Sequence, residues 1–336
     1  GGPIERILAQ IEGTDVGATA RISGSGSDMS ASSSSSAGGD GDNLYRGGQG
    51  LPDGFIEKLE KMYGLDKPPV ERFVLMMGKY LSFDFGESAF RSQQVTDLII
   101  EKMPVSVSLG LWTTIIVYII SIPLGIAKAR RDGSRFDVWT SGIIIFGNAV
   151  PSFLFAVLLI VLFAGGSFVD WFPLRGLTSE NWSELSLLGK IGDYFWHLTL
   201  PLLALTIGAF AGLTMLTKNS FLDQINQQYV VTARAKGLDE KRVLYGHVFR
   251  NGMLIVIAGF PSAFIGILFT GSLLIEVIFS LDGLGLLGFE AALNRDFPVL
   301  FGTLFFFSLL GLVMNLIGDL AYVAVDPRID FESREV

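Results

Sequence analysis

Long apolar segments alternate with polar loops in the part of the chain that follows residue 103. A helix needs about 20 mainly apolar residues to cross the hydrocarbon core of a bilayer, and each of these segments reaches that length. They lie at about 104–127, 138–164, 197–217, 253–279 and 300–325. Half of the residues are hydrophobic and the mean hydropathy is +0.49, which excludes an ordinary soluble globule. The pattern therefore predicts an all-α membrane protein with five spans.

Residues 1–103 contain no apolar run of that length. The Ser- and Gly-rich stretch 23–42 cannot bury a core, so we expect it to be disordered. We favour a flexible tether there over a segment that wraps around a partner. Helical patterns flank this stretch at 4–11, 53–63 and 68–81, and the last two are amphipathic.

Four prolines and one glycine pair lie in or beside the spans. The prolines are Pro123, Pro151, Pro201 and Pro261. Proline removes a backbone donor and often bends a membrane helix. Gly208 and Gly212 form a Gly-x-x-x-Gly pair in the third span, a pattern that predicts close packing against another helix.

The charges of the loops predict their side of the membrane. Lys and Arg accumulate in cytoplasmic loops, and residues 128–137 and 218–252 carry four and six of them. Residues 1–103 carry ten Lys and Arg against fifteen Asp and Glu. The segments assigned to the outside are 1–103, 165–196 and 280–299, and the tail 326–336 is assigned to the inside. Because the chain starts outside, with Gly-Gly-Pro, we expect one further membrane helix upstream of residue 1.

A polar, basic island at 229–251 separates the third span from the fourth. Residues 229–236 predict one short helix, and Gly237 suits the left-handed conformation that ends a helix. Asp239 can cap a second helix that runs to about Asn251. The island therefore predicts two short helices at the cytoplasmic surface.

Small side chains share one face of the first of these helices. Val230, Ala233 and Gly237 fall at positions i, i+3 and i+7, so another backbone can approach this face closely. The basic side chains around it are Arg234, Lys236, Lys241 and Arg242. This arrangement favours a plug for a groove on a soluble partner. The alternative is a solvated basic loop between two membrane helices.

No catalytic set emerges from the titratable and nucleophilic residues. The chain has no cysteine and only two histidines, His197 and His247, which excludes disulfides, thiol chemistry and a histidine metal cluster. It also lacks a Gly-x-x-x-x-Gly-Lys-Ser/Thr loop, so we do not expect it to hydrolyse ATP. The net charge of −8 argues against nucleic acid as a partner.

Two acids lie within the predicted spans, Glu276 in the fourth and Asp319 in the fifth. A charge at membrane depth costs ~2.5–3.5 kcal/mol, so each should face protein or water. One interpretation is a substrate path or a proton relay. The interpretation that we favour is an interhelical hydrogen bond near a helix end.

The island at 229–251 also resembles the "EAA" loop of ABC importer permeases. Residues 232–237 (Thr-Ala-Arg-Ala-Lys-Gly), followed by His247 and Arg250-Asn251, are similar to the dipeptide/oligopeptide branch of that family. Further segments with the same likeness are 63–68, 83–88, 151–153, 172–175, 271–279, 283–285, 295–298, 315–319 and 326–328. The resemblance covers essentially the whole chain outside 12–50.

Within that branch the chain most resembles the B subunit of Yej-type (microcin C/oligopeptide) permeases. The segments that carry this likeness are 46–48, 83–86, 214–221 and 331–332. Two positions depart from the branch. Val231-Thr232-Ala233 replaces the Glu for which the loop is named, and Met253 stands where a Pro often follows the Arg-Asn pair. These departures weaken a strict motif match but not the assignment to the branch.

The resemblance implies the transmembrane domain of a type I ABC importer at 104–325, which supplies half of a peptide pore in the bacterial inner membrane. It implies a second permease subunit, two ATP-binding subunits or one fused pair that hold ATP and Mg²⁺, and a periplasmic binding protein. It places 1–103 in the periplasm and no cofactor, metal or enzyme activity in this chain. The residues implied to couple to the ATP-binding subunit are Tyr229, Thr232, Ala233, Arg234, Ala235, Lys236 and Gly237.

Two other functions remain open at this point. A proton-coupled secondary transporter would use Glu276 and Asp319 as a relay. A membrane-anchored receptor would bind a ligand through residues 1–103. The basic loop and the absence of an inverted repeat count against the secondary transporter.

Overall fold

The computed structural model describes residues 67–88, 90–91, 93–164, 168–266 and 273–325, and the regular elements among them are helical. The chain divides into two compact units, each described here by itself: residues 1–102 with 286–306, and residues 103–285 with 307–336. Several predictions lie outside the described residues, namely those for 4–11, 23–42, 53–63, 326–336 and the upstream helix.

The helices are defined by their order along the chain. They are α1 (Pro69–Leu81), α2 (Val95–Arg130), α3 (Arg135–Ala149), α4 (Ser152–Phe163), α5 (Leu187–Ile225), α6 (Gln228–Ala235), α7 (Glu240–Val243), α8 (Phe249–Ala258), α9 (Phe260–Gly266), α10 (Leu273–Ile278), α11 (Leu284–Asn294) and α12 (Phe297–Val325). A π-helical turn at Leu244–Val248 joins α7 to α8, and a 3-10 turn at Trp182–Glu184 precedes α5.

Four stretches of the described chain are long and apolar enough to cross a membrane. They are Val95–Arg130, Leu187–Ile225, Glu240–Gly266 and Phe297–Ala321. Helices α3 and α4 pass the same test together, as a pair bent by 90°. The five predicted spans are therefore all represented when the bent pair is counted as one.

The bend between α3 and α4 lies at Pro151. Val150 before it is extended, and Pro151 has φ −56° and ψ 134°. Proline cannot donate a hydrogen bond to the preceding turn, so α3 stops and α4 starts in a new direction. The span predicted at 138–164 is therefore present as a bent pair of helices, and the bend lies at one of the prolines that the sequence analysis named. Pro123 and Pro201, by contrast, lie inside the continuous helices α2 and α5.

Three helices extend further than the predicted segments. The helix that contains the first predicted span begins at Val95, so the predicted domain limit at residue 103 falls inside α2. The helical stretch that contains the start of the fourth begins at Glu240. The helix that Asp239 caps does not end at Asn251, because the π-helical turn carries it on into the membrane span. A search for apolar runs stops at charged residues, and these helices continue through charged residues at their ends.

Close packing in the larger unit uses a different glycine from the predicted pair. A Cβ at Gly125 of α2 would lie 2.6 Å from Thr217 Cβ of α5, so only glycine allows these helices to approach this closely. A Cβ at Gly208 or Gly212 would meet nothing within 4 Å. Within this chain, the prediction of close packing at Gly208 and Gly212 is therefore wrong.

In the smaller unit, polar contacts connect the turn before α2 to α11 and to the turn after it. Ser88 Oγ donates to Asp296 Oδ2 at 2.6 Å, and Asp296 is buried. Arg91 Nη2 donates to Glu290 Oε2 at 2.7 Å. These contacts hold the residues before α2 against the residues around the start of α12.

Candidate functional site

The short helix predicted in the basic island is present as α6, and it ends as predicted. Gly237 adopts a left-handed φ of +80°, and its N–H donates to Arg234 O at 2.9 Å. This conformation favours glycine although the space around the position is open. Asp239 then caps α7, because its Oδ1 accepts a hydrogen bond from Lys241 N at 2.7 Å.

The small-residue face of α6 packs against the chain itself. Val230 is fully buried and Ala233 is 5% exposed, whereas Gly237 is exposed. The buried side chains of other elements in the same cluster are Ile126, Ala129, Phe221, Val243, Leu244 and Val248. The prediction that this face receives a partner is therefore wrong for Val230 and Ala233. A periodic pattern identifies an apolar face but not the molecule that covers it.

The remaining surface of α6 is open to a partner. The exposed side chains of α6 and its C-cap residue are Gln228, Val231, Thr232, Arg234, Ala235 and Lys236. Thr232 Oγ1 donates to Gln228 O at 3.0 Å, and the half-buried Tyr229 donates its hydroxyl to Gln224 Oε1 at 2.8 Å. Val231, at 53% exposure, is an exposed apolar side chain that was not singled out from the sequence. Its position between the buried Val230 and Ala233 was the only signal.

Arg234 connects α6 to α7. Its Nε and Nη2 donate to Glu240 Oε1 and Oε2 at 2.9 and 3.3 Å, which is a bidentate pair. Because both side chains are exposed, the pair sets the angle between the helices more than it adds stability. An open groove of about 510 Å³ follows along the chain, lined by Leu238, Lys241, Arg242, Tyr245, Gly246 and His247. This surface suits a soluble partner with acidic groups.

A buried cluster of charges lies where α2, α3 and α5 meet. The Lys128 side chain has no exposure, and its Nζ lies 2.9 Å from Asp137 Oδ1. Asp137 Oδ2 accepts hydrogen bonds from Lys218 Nζ at 2.7 Å and from Gly133 N at 3.1 Å. Lys218 also pairs with Asp132 at 2.8 Å. One carboxylate therefore joins the loop before α3 to lysines of two other helices.

Neutral oxygens complete the surroundings of Lys128. Its Nζ donates to Asp137 O, Thr140 Oγ1 and Ser141 Oγ at 2.8, 2.9 and 2.7 Å. A buried ammonium group needs an opposite charge and hydrogen-bond acceptors, and this site supplies both. The sequence analysis used Lys128 only as a topology signal and missed the cluster. No spacing rule could have found it, because Lys218 lies far away in sequence.

Glu276 of α10 is enclosed by the chain. It is fully buried, and Ser106 Oγ of α2 donates to its Oε1 at 3.1 Å. Leu284 N donates in turn to Ser106 Oγ at 2.8 Å. A Cβ at Gly283 would lie 2.5 Å from Glu276 Cδ, and one at Gly285 would lie 3.1 Å from its Oε2. This enclosure supports a hydrogen-bonded helix contact over a substrate path.

The second predicted acid, Asp319, has a different environment. It is exposed on α12, whereas Glu276 has no exposure. Within the described ranges, no group of three or more His, Cys, Asp or Glu side chains is arranged to hold a metal.

An apolar cavity of about 220 Å³ lies between α2, α5 and the α8–α9 segment. Its lining residues are Thr114, Val117, Tyr118, Ala209, Leu213, Leu216, Gly259 and Ala263. Tyr118 donates its hydroxyl to Val256 O at 3.4 Å, so its polar end is turned toward the backbone. The cavity lies along three of the long apolar helices. Its lining residues are candidates for the wall of a path through the membrane.

In the described part of the chain, membrane-length helices are connected by a short, partly exposed loop helix. Residues 121–331 match the family described as "Binding-protein-dependent transport system inner membrane component". The chain belongs to this family, and the resemblance inferred from its motifs is confirmed.

Relatives cover nearly the whole chain. The peptidoglycan transport system permease protein YejB of Agrobacterium fabrum is 64% identical over 336 residues, which are 100% of this chain and 92% of that protein. The inner membrane ABC transporter permease protein YejB of Escherichia coli O157:H7 is 57% identical over 334 residues, 99% of this chain and 92% of that protein. The oligopeptide transport system permease protein AppB of Bacillus subtilis is 38% identical over 282 residues, 82% of this chain and 84% of that protein.

A solved structure has the same fold. The inward-facing MetNI methionine ABC transporter aligns with a TM-score of 0.52 at 15% identity, over 68% of this chain and 97% of that chain. This likeness concerns the fold alone. The chain is therefore an ABC transporter permease with the transmembrane fold of a type I importer.

Proposed function

We propose that this chain is the permease subunit of an ATP-driven importer that moves peptides across the bacterial inner membrane. The names of two relatives, which refer to peptidoglycan transport and to oligopeptide transport, support this substrate class. Peptide antibiotics such as microcin C belong to the same class. The chain forms half of the pore, and a second permease subunit supplies the other half.

The proposal rests above all on how α6 is held. One face of α6 is buried against α2, α5 and the α7–α8 segment, and the other is exposed. A helix held in this way transmits a push on its outer face to the membrane helices. We therefore assign the exposed residues of the coupling set to the contact with an ATP-binding subunit. They are Thr232, Arg234, Ala235, Lys236 and Gly237.

The inferred partners follow from this role. Two ATP-binding subunits, or one fused pair, hold ATP and Mg²⁺ and hydrolyse the nucleotide. A periplasmic binding protein delivers the peptide on the side assigned to residues 1–103. ATP shifts the complex between inward- and outward-open states to the extent that it binds one state more tightly.

The contact is tested by adding bulk to the exposed face of α6. In liposomes that contain the complete importer, Ala235→Trp should lower peptide uptake about tenfold or more, because blocking a central contact costs about 2 kcal/mol. Its unfolding midpoint should match that of the wild type. A matched control is Leu188→Trp, since Leu188 is 82% exposed on α5 and is not part of the coupling loop. Wild-type uptake by Ala235→Trp would refute the docking surface.

A second variant separates docking from folding. Ala233→Trp places the same side chain on the buried face of the same helix, where it should lower the unfolding midpoint. If Ala235→Trp lowered stability as much as Ala233→Trp, loss of uptake would report damage to the fold. The assignment to docking would then fail.

A further inference from the structure

We propose that α1 lies along the membrane interface at the outer face, with an apolar stripe of its surface inserted between lipids. The stripe consists of Val70, Phe73, Val74, Met77 and Leu81. The stripe contacts lipid at the boundary between the headgroups and the acyl chains. The proposal depends on insertion of the chain in a membrane and not on the transported substrate.

The stripe follows one face of the helix. Its members fall at i, i+3, i+4, i+7 and i+11, so they form a band roughly 100° wide. Val70, Phe73, Val74 and Leu81 are 76, 56, 62 and 81% exposed. Single exposed apolar side chains are ordinary on a protein surface, but a continuous band marks a surface that is covered by something else.

Charged side chains lie away from the stripe. The exposed charged residues of α1 are Glu71, Arg72 and Lys79. None of them interrupts the band, and no side chain of the band carries a strong hydrogen-bonding group. A protein partner would be expected to require some polar matching, whereas lipid chains require none. A charged face opposite an apolar face is the arrangement of helices that lie in a membrane interface.

An aromatic anchor sets the level of α1. The Tyr80 ring lies 5.7 Å from the Phe305 ring and 5.2 Å from the Phe85 ring. Phe305 is eight residues into α12, which begins at Phe297. At 1.5 Å per residue that is about 12 Å along a membrane-crossing helix. The end of α1 is therefore attached to the first third of α12, next to the end that the charge pattern assigns to the outside.

Phe83 extends the same surface. It has a left-handed φ of 57°, a strained conformation for a large side chain, and its ring is 53% exposed. The ring lies 6.1 Å from Phe305 and 6.4 Å from Phe85. The turn after α1, closed by the Asp84 N–H to Lys79 O bond at 2.9 Å, holds Phe83 against this cluster. An exposed aromatic ring held at this level fits an interface with lipid.

Residues 1–336 contain no cysteine, so an introduced cysteine is their single labelling site, and the partner subunits would be used as cysteine-free variants. Single variants Phe73→Cys, Val74→Cys and, as the matched control, Arg72→Cys would each carry a nitroxide in the complete importer, reconstituted in phosphatidylcholine–phosphatidylglycerol nanodiscs. Power-saturation EPR would compare collision with oxygen, which enriches in lipid, and with nickel ethylenediaminediacetate, which stays in water. The oxygen-to-nickel ratio at positions 73 and 74 should be several-fold higher than at position 72.

Two results would overturn the proposal. Equal ratios at the three positions, with free access of nickel, would show that the stripe faces water. Exclusion of both reagents at positions 73 and 74 would show that protein covers it. Val70→Cys, at a first-turn residue that is 76% exposed, repeats the measurement if a label at position 73 disturbs the fold. Gel filtration of each labelled complex checks assembly.

Discussion

The buried charge cluster at Lys128, Asp137 and Lys218 allows a direct test of how α3 is fixed to α2 and α5. Asp137→Asn removes the carboxylate but keeps the size of the side chain. Lys128, which has no exposure, would retain only neutral acceptors. Lys218 would still pair with Asp132. The perturbation therefore isolates one buried ammonium group that lacks a counterion.

The magnitude follows from burial. Removing one partner of a buried ion pair costs about 3–5 kcal/mol, because the other charge stays buried. Replacing both partners by uncharged groups is often neutral, so Lys128→Met combined with Asp137→Asn should recover about 2 kcal/mol or more of the loss. Asp132→Asn is the control, since its 48% exposed side chain contributes only about 0–1 kcal/mol.

The free energy of unfolding would be measured by titration with sodium dodecyl sulfate in mixed micelles, for the wild type, the two single variants, the double variant and the control. The reasoning would be refuted if Asp137→Asn stayed within about 1 kcal/mol of the wild type. It would also be refuted if the double variant were less stable than Asp137→Asn. Peptide uptake by the same set shows whether the cluster also contributes to coupling.

Further predictions concern a glycine and an ion pair. Gly283→Ala should destabilise the chain by ~1–3 kcal/mol, because its Cβ would lie 2.5 Å from Glu276 Cδ. Thermal unfolding measures this loss of stability. The control Gly208→Ala, whose Cβ would meet nothing within 4 Å, should change the stability little. An equal effect of the two substitutions would contradict the enclosure of Glu276. Arg234→Gln should cost only about 0.2–1 kcal/mol, since its pair with Glu240 is exposed. If Arg234→Gln abolished peptide uptake although the protein stayed folded, Arg234 would contact the partner directly.

Much of the membrane architecture could be predicted from local properties. The length of an apolar run sets whether a helix can cross a bilayer, so the spans were identified without any tertiary information. Gly237 and Asp239 determine where α6 ends and α7 begins through their own backbone and side-chain geometry. Pro151 indicated a bend for the same kind of local reason, although its angle of 90° was not predictable.

The contacts of each side chain with distant parts of the chain could be identified only from the tertiary structure. Val230 and Ala233 form an apolar face in any helix, but only packing against Phe221 and the α7–α8 segment shows that this face is turned inward. Lys128 and Lys218 meet at one carboxylate although 90 positions separate them. The sequence by itself determined where helices form and which of them enter the membrane, because these properties depend on neighbouring residues along the chain. The folded structure alone decided which surface of α6 remains free and how Asp137 connects α2, α3 and α5, because those properties depend on contacts between distant segments.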